Sequence, residues 1–343
     1  MQYAFSANFG SGNISAYAIA SDGALAQVAS SPFAAGNGPT QLIVSPTGGF
    51  AYAPNFLGSG VSAYAIDGKT GALTQITGSP FATGNNPYFG AIDPKGKFLY
   101  IANNADDSVS AYSIAAKTGA LKAIKGSPFA TGRFPDGVAM APNGKVLYIS
   151  ENGDGDVRAY SIDAGTGALK ALKGSPFAAG SQPYYVAVAP SGKSLFVANH
   201  GSNTVSAYAV ESTGTLKAAA GSPFQAGTSP YGLAVTPNSK YLYVPNAGSN
   251  NVSAYSIAAS GALKAVKGSP FAGGTGPDGV GVDSLGKFLY VGNYGSNDVS
   301  AFSIAAASGA LKQIKGSPFA AGTAPYVIST CTQSLATCTP PAQ

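Results

Sequence analysis

From Pro230 to Phe271 the chain reads PYGLAVTPNSKYLYVPNAGSNNVSAYSIAASGALKAVKGSPF, and this stretch carries the plan of the whole molecule. It holds four strand-length runs: 231–236 (YGLAVT), 241–246 (YLYVPN), 251–257 (NVSAYSI) and 262–266 (ALKAV), mostly rich in β-branched or aromatic residues. The segments between them, Pro-Asn-Ser, Ala-Gly-Ser-Asn and Ser-Gly, are turn formers. Four antiparallel strands in one such unit make a blade of a β-propeller.

Working outward, the closing tetrapeptide, Ser-Ser-Pro-Phe or Gly-Ser-Pro-Phe, ends at Phe33, Phe81, Phe129, Phe177, Phe224, Phe271 and Phe319, giving seven copies spaced 47 or 48 residues apart. The expected fold is therefore all-β, a seven-bladed β-propeller with four antiparallel strands per blade. Six blades fall at 39–81, 87–129, 135–177, 183–224, 230–271 and 277–319. The seventh is split, because residues 1–33 supply only the second to fourth strands and the missing first strand appears at 325–330. Pairing the C-terminal strand with the N-terminal ones closes the ring and removes an open edge. A single domain is expected over 1–330, with a tail at 331–343. The third strand lacks clean alternation, as expected of a sheet covered on both faces, and the small residues of the first strand suit a crowded axis.

Composition agrees: 343 residues with 46 Gly, 23 Pro and only 10% charged side chains suit many short strands joined by tight turns. The net charge of +5 invites a nucleic-acid reading, but seventeen of the nineteen basic residues are Lys at fixed places in the repeat. Lys97, Lys145, Lys193, Lys240 and Lys287 occupy the first turn, and Lys122, Lys170, Lys217, Lys264 and Lys312 the last strand, where Lys guards an edge. Spread around a ring, they do not predict a nucleic-acid footprint. No run of 18 apolar residues predicts a membrane span. Cys331 and Cys338 are the two cysteines; a disulfide would fit an oxidising compartment and two thiols the cytosol. The disulfide is the reading favoured, and with it a secreted or periplasmic monomer whose leader has been removed.

Tyr-Val-Pro-Asn at 243–246, Val-Ala-Asn at 197–199, Ser-Asn-Thr-Val-Ser-Ala-Tyr at 202–208 and Thr-Gly-Ala-Leu at 118–121 resemble the YVTN-repeat propellers. They also resemble the related lactonase family, which includes bacterial 6-phosphogluconolactonase-like proteins and fungal carboxymuconate-cyclising enzymes. The resemblance covers nearly the whole chain and implies the seven-bladed fold. The shared phrases are strands and turns, so it implies no catalytic residue.

In a near-symmetric ring the residues that break the repeat are the functional candidates. The second strand ends in Asn8, Asn55, Asn103, Asn199, Asn246 and Asn293, but in Glu151 in the remaining copy. The next position holds the only histidine, His200. After the proline opening each first strand stand Thr40, Tyr88, Asp136, Tyr184, Tyr231, Asp278 and Tyr326. Antiparallel pairing brings both sets to one mouth of the central channel. The two arginines, Arg133 and Arg158, fall in the same repeat as Asp136 and Glu151, and Arg158 replaces a Ser common to the other six.

In a catalytic reading Glu151 and Asp136 are acid or base, His200 is a proton carrier, and Arg133 anchors an anion. Tyr88, Tyr184, Tyr231, Asp278 and Tyr326 then bind the ligand, the tyrosines offering flat faces with hydroxyls. In the alternative reading Glu151–Arg158 or Asp136–Arg133 is a local ion pair, His200 faces solvent, and the tyrosines pack between blades. The run Asn152-Gly153-Asp154-Gly155-Asp156 is reminiscent of a calcium loop, but it leads into a strand, and no metal or cofactor is expected. The expected function is a module that binds a small molecule or a protein at the channel mouth, with lactone hydrolysis as the alternative.

Overall fold

The computed structural model describes residues 2–332. Seven antiparallel sheets form a closed ring, each with its strands in the order first, second, third, fourth from the axis outward, as in Pro87–Ile92, Phe98–Asn103, Ser108–Ile114 and Leu121–Ala123. In the order of their sequence they are blades 1 to 6, and the composite sheet is blade 7. There the closing strand Pro325–Thr332 pairs with Gln2–Asn8, and Cys331 lies opposite Tyr3. It runs two residues further than the repeat alone predicts. Cys331 is disulfide-bonded; Cys338 and the rest of the tail past Thr332 lie outside the described residues.

Each sheet also has a fifth, two-residue strand. The fourth strand is so short that it covers only the lower half of the third. The Ser-Pro-Phe turn then brings the chain back, so that Phe129–Ala130 pairs with Ser108 and Val109 at the upper half. The serine of that turn accepts the amide of a third-strand alanine in every blade, for example Ala111 N to Ser127 Oγ at 2.9 Å and Ala16 N to Ser31 Oγ at 2.8 Å. The motif that marks the repeat is thus the device that covers the outer edge.

Blade-to-blade packing places tyrosines in register. Tyr52, Tyr100, Tyr148, Tyr243 and Tyr290 of the second strands are fully buried, and each donates its hydroxyl to a glycine carbonyl in the next blade, as in Tyr100 to Gly167 O at 2.8 Å. Third-strand tyrosines reach the other way, as in Tyr64 to Ala34 O at 2.7 Å and Tyr112 to Ala82 O at 2.6 Å. First strands pack against one another around the axis, where side chains must be small. At Gly279 a Cβ would lie 2.2 Å from the carbonyl oxygen of Tyr326, so only glycine admits the closing strand. No helix among the described residues is long and apolar enough to cross a membrane.

Closure rests on this strand, whose Ile328 is 1% exposed and packs with Ala4, Tyr17 and Tyr290. Ile328→Ala is expected to lower stability by about 2–5 kcal/mol, read from the urea midpoint. An unchanged midpoint would show that the seventh sheet closes without this contact.

Candidate functional site

The mouth where first strands begin and second strands end is here called the upper one. The first strands do not run straight into it. The pairing register shifts between Pro87 and Gly90, Pro135 and Val138, Pro183 and Tyr185, and Pro277 and Val280. Each irregularity contains the second residue of its strand, so Tyr88, Asp136, Tyr184 and Asp278 are freed from strict alternation and turned to the axis.

Tyrosines from three blades that are not neighbours meet there. The Tyr326 hydroxyl is hydrogen-bonded to that of Tyr184 at 2.7 Å and to that of Tyr88. Phe89 stacks on Tyr326 at 6.1 Å, and Tyr185 meets Phe89 at 5.1 Å. Phe9 and Phe56 cover the plug from the rim, each packing on a plug tyrosine. The axis at this end is therefore an aromatic plug and not an open bore. Tyr231 packs edge-on against Tyr184 at 4.4 Å, and His200 packs against Tyr231 at 4.8 Å. His200 Nδ1 lies 3.5 Å from Gln182 Oε1, and partial burial lowers its pKa, which favours the neutral imidazole. Among the described residues, three of the four exposed large apolar side chains, Leu57, Phe134 and Tyr294, stand on the same rim.

Two carboxyls interrupt the aromatic ring. Asp136 is 2% exposed; its Oδ1 accepts from Asn104 Nδ2 at 2.6 Å and its Oδ2 from Asn152 Nδ2 at 2.9 Å. Burial pushes its pKa up to about 7, against the pull of the two amides. Asp278 is 7% exposed and, among the described residues, its carboxyl has no hydrogen-bond partner. Burial raises it well above the usual carboxylate range, which favours its protonated form. Tyr231 feels the charge of both acids, Asp278 more strongly.

The remaining candidates go elsewhere. Glu151 is the last residue of its strand and Asn152 the first of the following turn, and they have different partners: Asn152 reaches Asp136, and Glu151 faces Arg158, with Oε1 3.9 Å from Nε. In the other blades the asparagine here binds a third-strand serine, and in blades 1, 2, 4, 5 and 6 a glycine amide as well, as in Gly84 N to Asn103 Oδ1 at 3.1 Å and Asn103 Nδ2 to Ser110 Oγ at 2.9 Å. Blade 3 has replaced both members, Asn by Glu151 and Ser by Arg158. Glu151 is fully buried, and among the described residues neither of its oxygens has a hydrogen-bond partner. Burial pushes its pKa up to about 8, with the Gly132 amide and Arg158 pulling the other way. Arg133 is exposed and held by Asp154, Nε to Oδ1 at 2.7 Å, not by Asp136. The Asn104 and Asn152 clamp on Asp136 was missed in the sequence, although both stand at the rim position that had singled out His200.

On the opposite face a cleft of about 730 Å³ opens between blades 3 and 4, with Lys145 and Glu211 among its lining residues. Its one lining carboxyl, Glu211, is exposed, and no buried acid faces it, so the upper mouth is the stronger candidate. Among the described residues no cluster of His, Cys, Asp and Glu could hold a metal ion.

A family model described as lactonase, 7-bladed beta-propeller, matches residues 26–132, 126–232 and 219–328. No curated protein matches the sequence. Among solved structures, a candidate 6-phosphogluconolactonase from Bacteroides uniformis superposes with a TM-score of 0.83 at 19% identity, covering 96% of this chain and 99% of that one. The periplasmic gluconolactonase of Pseudomonas aeruginosa gives a TM-score of 0.81 at 20% identity over 96% and 99% of the two chains. At such identities these likenesses establish the fold alone.

The blade 3 substitution has a measurable cost. Glu151→Asn together with Arg158→Ser recreates the pair of the other blades and is expected to stabilise the protein by about 1–4 kcal/mol. Glu151 is raised from its ordinary 4.5 to about 8 on folding, so its contribution to stability is complete below about 4.5 and is lost as pH rises through about 8. The gain of the double variant should therefore be largest above pH 8 in thermal melts and small near pH 4; a gain independent of pH would contradict this assignment.

Proposed function

This chain belongs to the lactonase family of seven-bladed β-propellers, and on that premise we propose that it is a lactone hydrolase whose chemistry is carried by Asp136 and Asp278 at the upper mouth. The observation behind this reading is a pair of buried carboxyls in unlike surroundings within one aromatic-lined site, Asp136 clamped by two amides and Asp278 raised by burial without such a clamp. Unlike surroundings of this kind are what an acid and a base working together require.

Ionised Asp136, held by Asn104 and Asn152, takes a proton from water as the water oxygen attacks the lactone carbonyl. The developing oxyanion is met by O–H donors: protonated Asp278 and the tyrosine hydroxyls of Tyr231 and Tyr184. When the ring C–O bond breaks, the departing alkoxide takes the proton that Asp136 accepted from water, which returns Asp136 to its ionised form, and the product is an open hydroxy acid. Neutral His200 beside Tyr231 serves as a positioning residue. Glu151 maintains the loop through Arg158 and takes no part in the chemistry.

Electrostatics narrows the substrate. A phosphorylated lactone calls for several cations converging on its phosphate. The rim offers Arg133, already held by Asp154, so the reading is for an unphosphorylated lactone whose ring lies against the tyrosines. Both acids are buried beneath the rim, where Tyr231 and His200 are half-buried. A second reading, a binding module without catalysis, is favoured by the exposed Leu57, Phe134 and Tyr294, since apolar groups on a rim mark docking sites.

Proton release from a panel of sugar and aliphatic lactones separates the two. With catalysis, kcat/KM should rise with pH through about 7 as Asp136 ionises, and fall at higher pH where Asp278 loses its proton. Asp136→Asn should lower kcat by about 100-fold to 10,000-fold. Full activity in that variant would remove Asp136 from the mechanism, and no hydrolysis of any lactone by the wild type would leave the binding reading.

A further inference from the structure

The seventeen lysines look evenly distributed in the sequence, but the fold sorts them. No lysine begins a first strand, ends a second strand or stands in any loop of the upper face. The upper face carries Asp106, Asp107, Asp154, Asp156 and Asp298 besides the acids already described, and its cations are Arg133 and Arg158. The lysines lie on the lower face and on the outer strands.

The concentration is greatest nearest the axis. First and second strands are the innermost pair, so the turns joining them surround the lower opening of the ring. In five consecutive blades the last residue of that turn is lysine: Lys97, Lys145, Lys193, Lys240 and Lys287. All five are exposed, as is Lys95 beside them. Among the described residues no lysine is in an ion pair. The acids of the same turns, Asp93 and Asp283, offset part of this charge but form no ion pair with the lysines. Both are buried and their carboxylates are occupied by turn amides, for example Phe98 N to Asp93 Oδ1 and Phe288 N to Asp283 Oδ1, each at 2.7 Å. The exposed acids of this face, Asp22, Asp67, Asp163 and Glu211, stand in the turns between third and fourth strands, further from the axis. One large apolar side chain projects within the arc: Leu285, 63% exposed, two residues before Lys287.

We propose that the lower face is a docking surface for an anionic lipid bilayer, on which the propeller lies flat with its upper mouth turned to solvent. Point charges on long stems, repeated on turns of one level, suit a planar field of headgroups, which asks for no particular geometry from each lysine. An exposed leucine among the lysines supplies an apolar contact that a flat interface rewards and that a nucleic acid does not. The acidic upper face is repelled by the same surface, so attraction and repulsion select one orientation.

The test is co-sedimentation of the full chain with vesicles of mixed phosphatidylglycerol and phosphatidylcholine, with pure phosphatidylcholine vesicles as the neutral comparison. Binding to the anionic vesicles at low salt and its loss at high salt are expected, because the attraction is screened within a Debye length. Each interfacial lysine contributes about a factor of five, so Lys145→Gln, Lys193→Gln and Lys240→Gln together should weaken binding about 100-fold. The same change at Lys122, Lys217 and Lys312 on the outer strands should weaken it far less, and Leu285→Ser should weaken what binding survives at moderate salt. All seven side chains are exposed, so the variants test binding and not folding. Absence of binding to anionic vesicles at low salt, or equal losses from the inner and outer triples, would overturn the proposal. So would duplex DNA or heparin that binds through the inner lysines where the vesicles do not.

Discussion

A tyrosine hydroxyl given to a backbone carbonyl of the adjoining blade is the contact on which the ring depends. Tyr100 on Gly167 and Tyr112 on Ala82 reach from one sheet to its two neighbours, and equivalents recur around the ring. A buried phenol must find an acceptor, and the position of that acceptor fixes how far each sheet can rotate or slide on the next. The glycine acceptors belong to turns and Ala82 to a short fifth strand, so the same bonds also hold those segments in place. Where phenylalanine stands instead, at Phe5, Phe196 and Phe302, the packing is kept without the hydroxyl, and neighbouring interfaces carry the alignment.

Such a scaffold leaves few positions free, and blade 3 shows what freedom costs. The asparagine that ends a second strand is neutral, and each end of its amide has a partner. Replacing it with Glu151 puts an acid into a site that suits an amide, and Arg158 compensates only in part, at 3.9 Å and without a full hydrogen bond. The physical outcome is a carboxyl held near its protonated form. Asp136, a short distance along the same sheet, also has a raised pKa but is fully hydrogen-bonded through Asn104 and Asn152. Two raised carboxyls can thus mean different things, and their hydrogen bonds tell them apart.

The two faces of the ring divide its electrostatics. The upper face gathers acids and tyrosines about a plugged axis. The lower face gathers lysines on turns, each one solvated and unremarkable alone. A charge pattern of this kind comes from topology: a residue type repeated once per blade is delivered to one level of the ring, so a periodic sequence becomes a circular surface.

The seven copies of Ser-Pro-Phe and the split of blade 7 between residues 1–33 and 325–330 are enough to derive the propeller and its closure, because strand length, turn chemistry and repeat spacing are local and the repeat multiplies each signal. The sequence alone also picked out Asp136, Asp278, His200 and the tyrosines, since departures from a repeat are visible without coordinates. The fifth short strand was not visible, because two residues carry no periodicity. Nor was the sorting of candidates within blade 3: Glu151 ends its strand and Asn152 opens the turn, and only the folded positions decide that Asn152 reaches Asp136 and Glu151 faces Arg158. Likewise the meeting of Tyr88, Tyr184 and Tyr326 across the axis joins residues up to 238 positions apart. Their convergence depends on the bulged starts of first strands and on the diameter of the closed ring, which are properties of the assembled sheets.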